Sequence, residues 1–343
     1  MKIFYVVFAI LIILALFESW MYVLTHRPNI LRKFSRRLQN SMGYLYIQGD
    51  RKVMQFLEGC GCYHPELGYT LKPGKFTFSE IEFSNEYQIN SLGVRDAESS
   101  LVAPEIVLLG DSFALGWGVD QNQTFIKLLE NKTNFKTLNT CVPSFGTVRE
   151  MIMLRKVDRS RMKCLMIQYC ADDYDENRLY YKNGNRPQIM RAETFENITK
   201  KYSRPKAYYP GKYIEMKIRK KFGEWILKPT KSDDDHSLSD VDLFLHVLKQ
   251  NVDMLADIPL IVFELSGINQ THTFTEKLLE KTADPDQPPF IRNMIILDMI
   301  RHLKDRHYYV LDGHLTPEGH RIVADVLYQT LFRTGIFNNK ESL

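Results

Sequence analysis

The chain has 343 residues, with 45 lysines and arginines against 41 aspartates and glutamates, for a formal net charge of +4. That length supports one substantial core with a smaller appendage, and 44% hydrophobic with 25% charged residues is ordinary for a folded protein. So mild a basic excess, without zinc-finger spacing or a long basic tract, gives no expectation of nucleic acid as a partner. Five cysteines are an odd number, so no complete disulfide framework is legible, and the Cys60-x-Cys62 pair lacks further ligands at metal spacing. No metal and no cofactor are expected.

Residues 3–24 are apolar apart from Glu18 and Ser19, about the 20 residues that a bilayer-spanning helix requires. The segment is apolar on every face, and no small-residue cleavage site follows it, so residues 1–24 read as an uncleaved single-pass anchor. Trp20 and Tyr22 are expected at one membrane interface. Arg27, Arg32, Lys33, Arg36 and Arg37 follow the segment, whereas only Lys2 and the amino terminus precede it. Taken alone, that asymmetry places the body of the protein in the cytoplasm.

Residues 25–62 read as a basic, partly helical connector. Residues 63–100 carry turn signals at Pro65, Pro73-Gly74 and Gly93, with alternating Phe76, Phe78, Ile81 and Phe83, which predicts a small β subdomain. From about 101 to 335 strands and helices alternate. Strands are expected at 105–109, 136–139, 164–169, 259–265 and 308–311. Helices are expected from 124, from 147 to 157 behind a Thr147/Glu150 capping box, over 241–256, over 290–303, and from Thr316-Pro317 to about 332. Such βα repetition implies an α/β fold, a doubly wound parallel five-stranded sheet whose ligands bind at the carboxyl ends of the strands. An insertion at about 175–240 interrupts it, rich in Tyr, Lys and Arg and ending in the acid run 233–235. Its aromatic and basic part is a candidate lid, or, over 213–226, a basic amphipathic helix on a membrane surface.

Three predicted strand ends present polar residues on one sheet edge: Gly110-Asp111-Ser112, Asp172-Asp173 and Asp312-Gly313-His314. A serine hydroxyl needs a base to become a nucleophile, and a histidine fixed by a carboxylate supplies one near neutral pH. Ser112 is therefore the candidate nucleophile, with His314 as base and Asp312 as its orienting acid. His320, inside the last helix, reads as packing or capping. The backbone amides of Ser112 and Gly146 are candidates to stabilise an oxyanion.

These residues resemble the SGNH (GDSL-like) hydrolase superfamily, named for Ser, Gly, Asn and His in four blocks. Ser112 in VLLGDSFALGWGVD matches the first block, Gly146 in LNTCVPSFGT the second, and Asp312 with His314 in LDGHLTPEGH the last. LGYTLKPG, INSLGVRD and the anchor ending LFESW look like a membrane-anchored bacterial subgroup. The resemblance implies a flavodoxin-like sheet and ester or acyl chemistry on an acylated glycan, lipid or envelope polymer. It covers most of the chain but not the insertion. Asp and His stand two apart here rather than three, a variant of the polysaccharide O-acetyltransferase branch. The Asn of the third block, an oxyanion donor in the family, is Asp172, and an ionised carboxylate cannot donate a hydrogen bond. The leading expectation is a serine esterase that removes acyl groups. Alternatives are a polysaccharide O-acyltransferase served by a membrane acyl-donor protein, and a catalytically silent glycan-binding or scaffold member. The family's substrates lie outside the cytoplasm, so the catalytic domain is expected to be extracytoplasmic (periplasmic) in spite of the basic residues after the anchor.

Overall fold

A computed structural model describes residues 2–204, 206–226, 238–267 and 273–336, excepting the side chains of 223–226. The side chain of Trp225 and the acid run 233–235 lie outside the described residues. The chain opens with helix α1 (Lys2–His26), followed by α2 (Pro28–Leu31) and α3 (Arg36–Gly49). Two antiparallel hairpins come next, β1 (Gly61–His64) with β2 (Gly68–Leu71), and β3 (Gly74–Ser79) with β4 (Ser84–Ile89). The α/β part then runs β5 (Ile106–Leu109), α4 (Ser112–Leu115), α5 (Phe125–Thr133), β6 (Thr137–Asn139), α6 (Thr147–Leu154) and β7 (Cys164–Tyr169). The insertion is helical, with α7 (Asp173–Lys182), α8 (Ala192–Tyr202) and α9 (Lys212–Ile226). It is followed by α10 (Asp240–Lys249), α11 (Val252–Leu255), β8 (Leu260–Glu264), α12 (Phe274–Thr282), α13 (Pro289–Arg292), β9 (Ile295–Leu297) and α14 (Pro317–Thr334).

The five strands pair in the order β6-β5-β7-β8-β9, all parallel, which is the flavodoxin-like order with one reversal beside β5. The central strands β5, β7 and β8 are buried throughout and mainly apolar, as strands covered on both faces are. Side chains alternate between two cores. Val107, Leu109, Leu165, Ile167, Leu260 and Val262 pack with α6, α10 and α12. Ile106, Leu108, Cys164, Met166, Ile261 and Phe263 pack with α5, α14 and the β3–β4 hairpin.

Several elements differ from the sequence reading. The fifth strand is Ile295–Leu297, not 308–311, and 290–303 is not a helix. Phe290, Ile291 and Met294 have helical spacing, but Pro289 opens only one turn before the β-branched pair Ile295-Ile296 enters the sheet. Residues 308–311 instead form an irregular loop in which Tyr308 bridges Leu315. The 241–256 helix breaks at Gln250-Asn251, where the Asn251 side chain donates to Val247 O at 2.9 Å. Thr147 and Glu150 form no capping box: the Thr147 hydroxyl turns to Asp173 at 3.0 Å, and both Glu150 carboxyl oxygens are buried without a hydrogen-bond partner. The 25–62 stretch is more than a connector, because α2 and α3 pack with α1 and wall a cavity over the sheet edge. Only α1, among the described residues, is long and apolar enough to cross a membrane, and nearly all of its apolar side chains are exposed.

Candidate active site

Strand β5 ends at Leu109, and the chain turns sharply through Gly110, at φ +156°, into the single-turn helix α4. A side chain at Gly110 would meet Gln168 Oε1 at 2.6 Å and Ala114 Cβ at 2.8 Å, so only glycine permits this turn. Asp111 caps α4 by accepting from Phe113 N at 2.8 Å, which leaves Ser112 half-buried at the first helical position.

The second contribution arrives 200 residues later, on the loop before α14. Gly313 adopts φ +83°, which folds His314 back over Asp312. His314 Nδ1 and Asp312 Oδ1 are 2.5 Å apart, and His314 Nε2 lies 2.7 Å from Ser112 Oγ. The structure thus brings Ser112, His314 and Asp312 into one hydrogen-bonded line. Asp312 is buried, but the His314 ring, the nearby Arg51 guanidinium and the Trp117 indole, which donates from Nε1 to Oδ2 at 3.2 Å, offset the cost of burial and hold its carboxyl below the usual range. Glu82, between β3 and β4, accepts from the backbone amides of Val310, Leu311 and Asp312 at 2.8, 2.8 and 2.9 Å. The hairpin therefore clamps the loop that carries Asp312 and His314.

Gly146 does not present a free amide. Its N–H donates to Glu176 Oε2 at 3.1 Å and the residue is buried, so it is not placed as an oxyanion donor. Its neighbour Ser144 is exposed instead, in the left-handed region at φ +59°, and lines the cavity with Ser112. Asp172 lines the same cavity and is exposed at the N-cap of α7. The adjacent Asp173 points the other way, buried against Thr147. Burial together with nearby carboxylates pushes Asp173 and Glu150 well above the usual carboxylate range, and burial raises Asp111 to about 6. His320 is a packing residue: its Nδ1 accepts from Phe125 N at 3.2 Å, and burial lowers it to about 3.

The cavity over Ser112 measures about 590 Å³ and is walled on one side by Arg32, Arg36, Asn40 and Tyr44 of the α2–α3 segment. A second cavity, of about 360 Å³, adjoins it and shares Ser144 and Asp172. The insertion, expected as a lid, walls this second cavity through Asp175, Glu176 and Tyr180, and none of its described residues lines the first.

No family model matches the chain, and no curated protein matches it. Among solved structures, the chain is similar to one described as a putative lipolytic protein of the G-D-S-L family from Desulfitobacterium hafniense DCB-2, at 12% identity and TM-score 0.40, covering 66% of this chain and 98% of that one. It is also similar to a family two carbohydrate esterase from Clostridium thermocellum, at 9% identity and TM-score 0.37, covering 68% and 65% of the two chains. A salicylyl-acyltransferase from a tetracycline biosynthetic pathway is similar at 11% identity and TM-score 0.33, over 68% and 56%.

Four site residues were not legible in the sequence. Trp117 lies in the same block as Ser112, and its proximity to that motif was the available signal. Glu82 and Arg51 lie far from every motif, and only the fold brings them near Asp312. Ser144 stands two residues before the more conspicuous Gly146, and a left-handed serine leaves no mark in a sequence.

Proposed function

We propose that the chain is a membrane-anchored serine ester hydrolase of the SGNH class, acting on an acylated glycan, lipid or envelope polymer through an acyl-Ser112 intermediate. The observation that carries this reading is the Ser112–His314–Asp312 line at the carboxyl edge of a parallel sheet, opening into a cavity. Ser112 Oγ adds to the ester carbonyl carbon while His314 Nε2 takes its proton. The C–O bond to the alcohol then breaks, and His314 returns the proton to the departing oxygen. Water repeats the sequence on the acyl-serine, releasing the acid. Asp312 stays ionised throughout and steadies the imidazolium. The Ser112 amide, at the N-terminus of α4, and the Ser144 amide are the donors we assign to the oxyanion.

The adjoining second cavity favours one further reading, an O-acyltransferase in which a polysaccharide hydroxyl held there replaces water in the second step. A membrane acyl-donor protein would then supply the acyl group. The same substrates lead us to place the catalytic domain outside the cytoplasm, with α1 as its anchor.

Turnover of p-nitrophenyl acetate by the full chain in detergent micelles tests the first reading. The wild type is expected to release nitrophenol and Ser112→Ala to release none above background. Equal rates would overturn it. Adding an oligosaccharide acceptor separates the two readings, since a transferase yields acylated sugar in place of free acetate.

A further inference from the structure

The carboxylate of Glu18 is buried, although it belongs to the largely apolar α1. It accepts from the backbone amides of Tyr213 at 3.0 Å and Ile214 at 3.1 Å, and so caps the first turn of α9, 195 residues away in sequence. An acid at a helix N-terminus satisfies otherwise unpaired amides and complements the helix dipole. The same turn is bolted to the end of α3, where Lys212 Nζ meets Asp50 Oδ1 at 2.6 Å and the Tyr213 hydroxyl donates to Asp50 Oδ2 at 2.8 Å. Lys217 then lies over the Phe17 ring at 5.7 Å. From the other side, Phe34, in the turn after α2, meets Trp20 edge to face at 6.4 Å.

These contacts fix a height. Phe17, Glu18, Trp20 and Tyr22 span about 8 Å of α1 at 1.5 Å per residue. They lie at the end of the roughly 20 residues that fill a hydrocarbon core. Around that level the surface combines exposed apolar and basic side chains. Ile218 and Phe222, one turn apart on α9, are 60% and 58% exposed, and Ile30 and Phe34 are 43% and 41% exposed. Arg27, Lys33 and Arg37 from one side, and Arg219 and Lys221 from the other, are exposed among them, while Lys220 on the opposite face of α9 lies over the Tyr44 ring at 4.0 Å.

We propose that α9 and the α2–α3 turn form an interfacial collar that seats the body of the protein on an anionic lipid surface. Resting on the reading of α1 as a membrane helix, the collar sinks Ile218, Phe222 and Phe34 below the headgroups while the surrounding lysines and arginines meet lipid phosphates. Apolar side chains ringed by basic ones are the composition of a helix lying in the interface. Neither an apolar core nor bulk water suits both halves of it. Because Arg32, Arg36 and Tyr44 also wall the cavity over Ser112, the collar holds that cavity beside the headgroup layer.

The test is depth-resolved quenching of a bimane fluorophore on the full chain, reconstituted into vesicles whose lipids carry a nitroxide near the headgroup. Single cysteines replace Ile218, Ile12 in the anchor, or exposed Val102 on the α/β body, with labelled wild type as the background for the native cysteines. At Ile218 strong quenching is expected in phosphatidylcholine–phosphatidylglycerol vesicles, and none at Val102. Arg219→Gln/Lys221→Gln is expected to weaken the Ile218 signal at least severalfold. Quenching by deep nitroxides at Ile12 with none at Ile218 overturns the collar while leaving the anchor standing. Absence of quenching at Ile12 overturns both. Equal Ile218 quenching in pure phosphatidylcholine, unaffected by these two changes, overturns the assignment of anionic lipid.

Discussion

Trp117 donates its indole N–H to Asp312 Oδ2 at 3.2 Å, leaving Oδ1 to His314, and its ring stacks on the imidazole at 5.2 Å. One side chain thus fixes both the acid and the base, through a hydrogen bond to one and a face contact with the other. Trp117→Phe keeps an aromatic ring and removes the donor. A hydrogen bond to a charged group contributes roughly 1.5–3 kcal/mol, so kcat is expected to fall about tenfold or more with KM little changed. Steady-state kinetics on an acetyl ester decide it. A rise in KM at constant kcat would make Trp117 a substrate contact rather than a positioning residue.

The three amides gathered by Glu82 lead to a second expectation. Glu82→Ala leaves the N–H groups of Val310, Leu311 and Asp312 without their acceptor and frees the loop that carries Asp312 and His314. Stability is expected to fall by about 2–4 kcal/mol, with a larger loss of activity than the unfolded fraction explains. Thermal unfolding measured alongside activity at a temperature where the variant is folded checks both. Full activity there would show that the clamp does not position the loop.

Asp172 is exposed and lines the cavity over Ser112, at the position where the resemblance implies an oxyanion donor. Asp172→Asn supplies an amide that donates where a carboxylate repels, so kcat on an acetyl ester is expected to hold or rise. A donor of this kind contributes roughly 2.7–4 kcal/mol where one has been removed from an oxyanion hole. Loss of activity in a folded Asp172→Asn protein would mean that the carboxylate itself is used, as a base or a substrate contact.

The sheet and most of the candidate site were legible in the sequence because both depend on local signals. Apolar runs mark β5, β7 and β8, Ser112 lies where β5 gives way to a turn, and Asp312 and His314 flank a glycine in a short polar run of the loop before α14. What was not legible depends on distance. The strand Ile295–Leu297 is three residues long, too short for any periodicity to separate it from the helical spacing around it. Gly146 reads as an exposed loop glycine until α7 brings Glu176 onto its amide. The role of α3 as a cavity wall, and of Glu18 as the cap of α9, arises from packing between segments that share no motif.

Asp111 gives a pH signature. Burial raises it from 3.8 to about 6, so between those values the folded protein holds a proton that the unfolded chain releases. Stability from this group is therefore greatest below pH 4, declines as pH rises toward 6, and is level above it, an effect of about 3 kcal/mol. Asp111→Asn keeps an oxygen for Phe113 N and removes the titration. The difference in Tm between variant and wild type is expected to grow in the variant's favour from pH 4 to 6. A constant difference would show that Asp111 does not titrate in that window.

The central claim is that His314 and Asp312 activate Ser112 as a nucleophile. Its most direct test is the intact mass of the full chain, in detergent micelles, after exposure to an alkyl fluorophosphonate. One adduct is expected, located on Ser112 by peptide mapping, absent from Ser112→Ala and strongly slowed in His314→Ala. An unmodified wild-type protein, or an adduct that persists in Ser112→Ala, would contradict it.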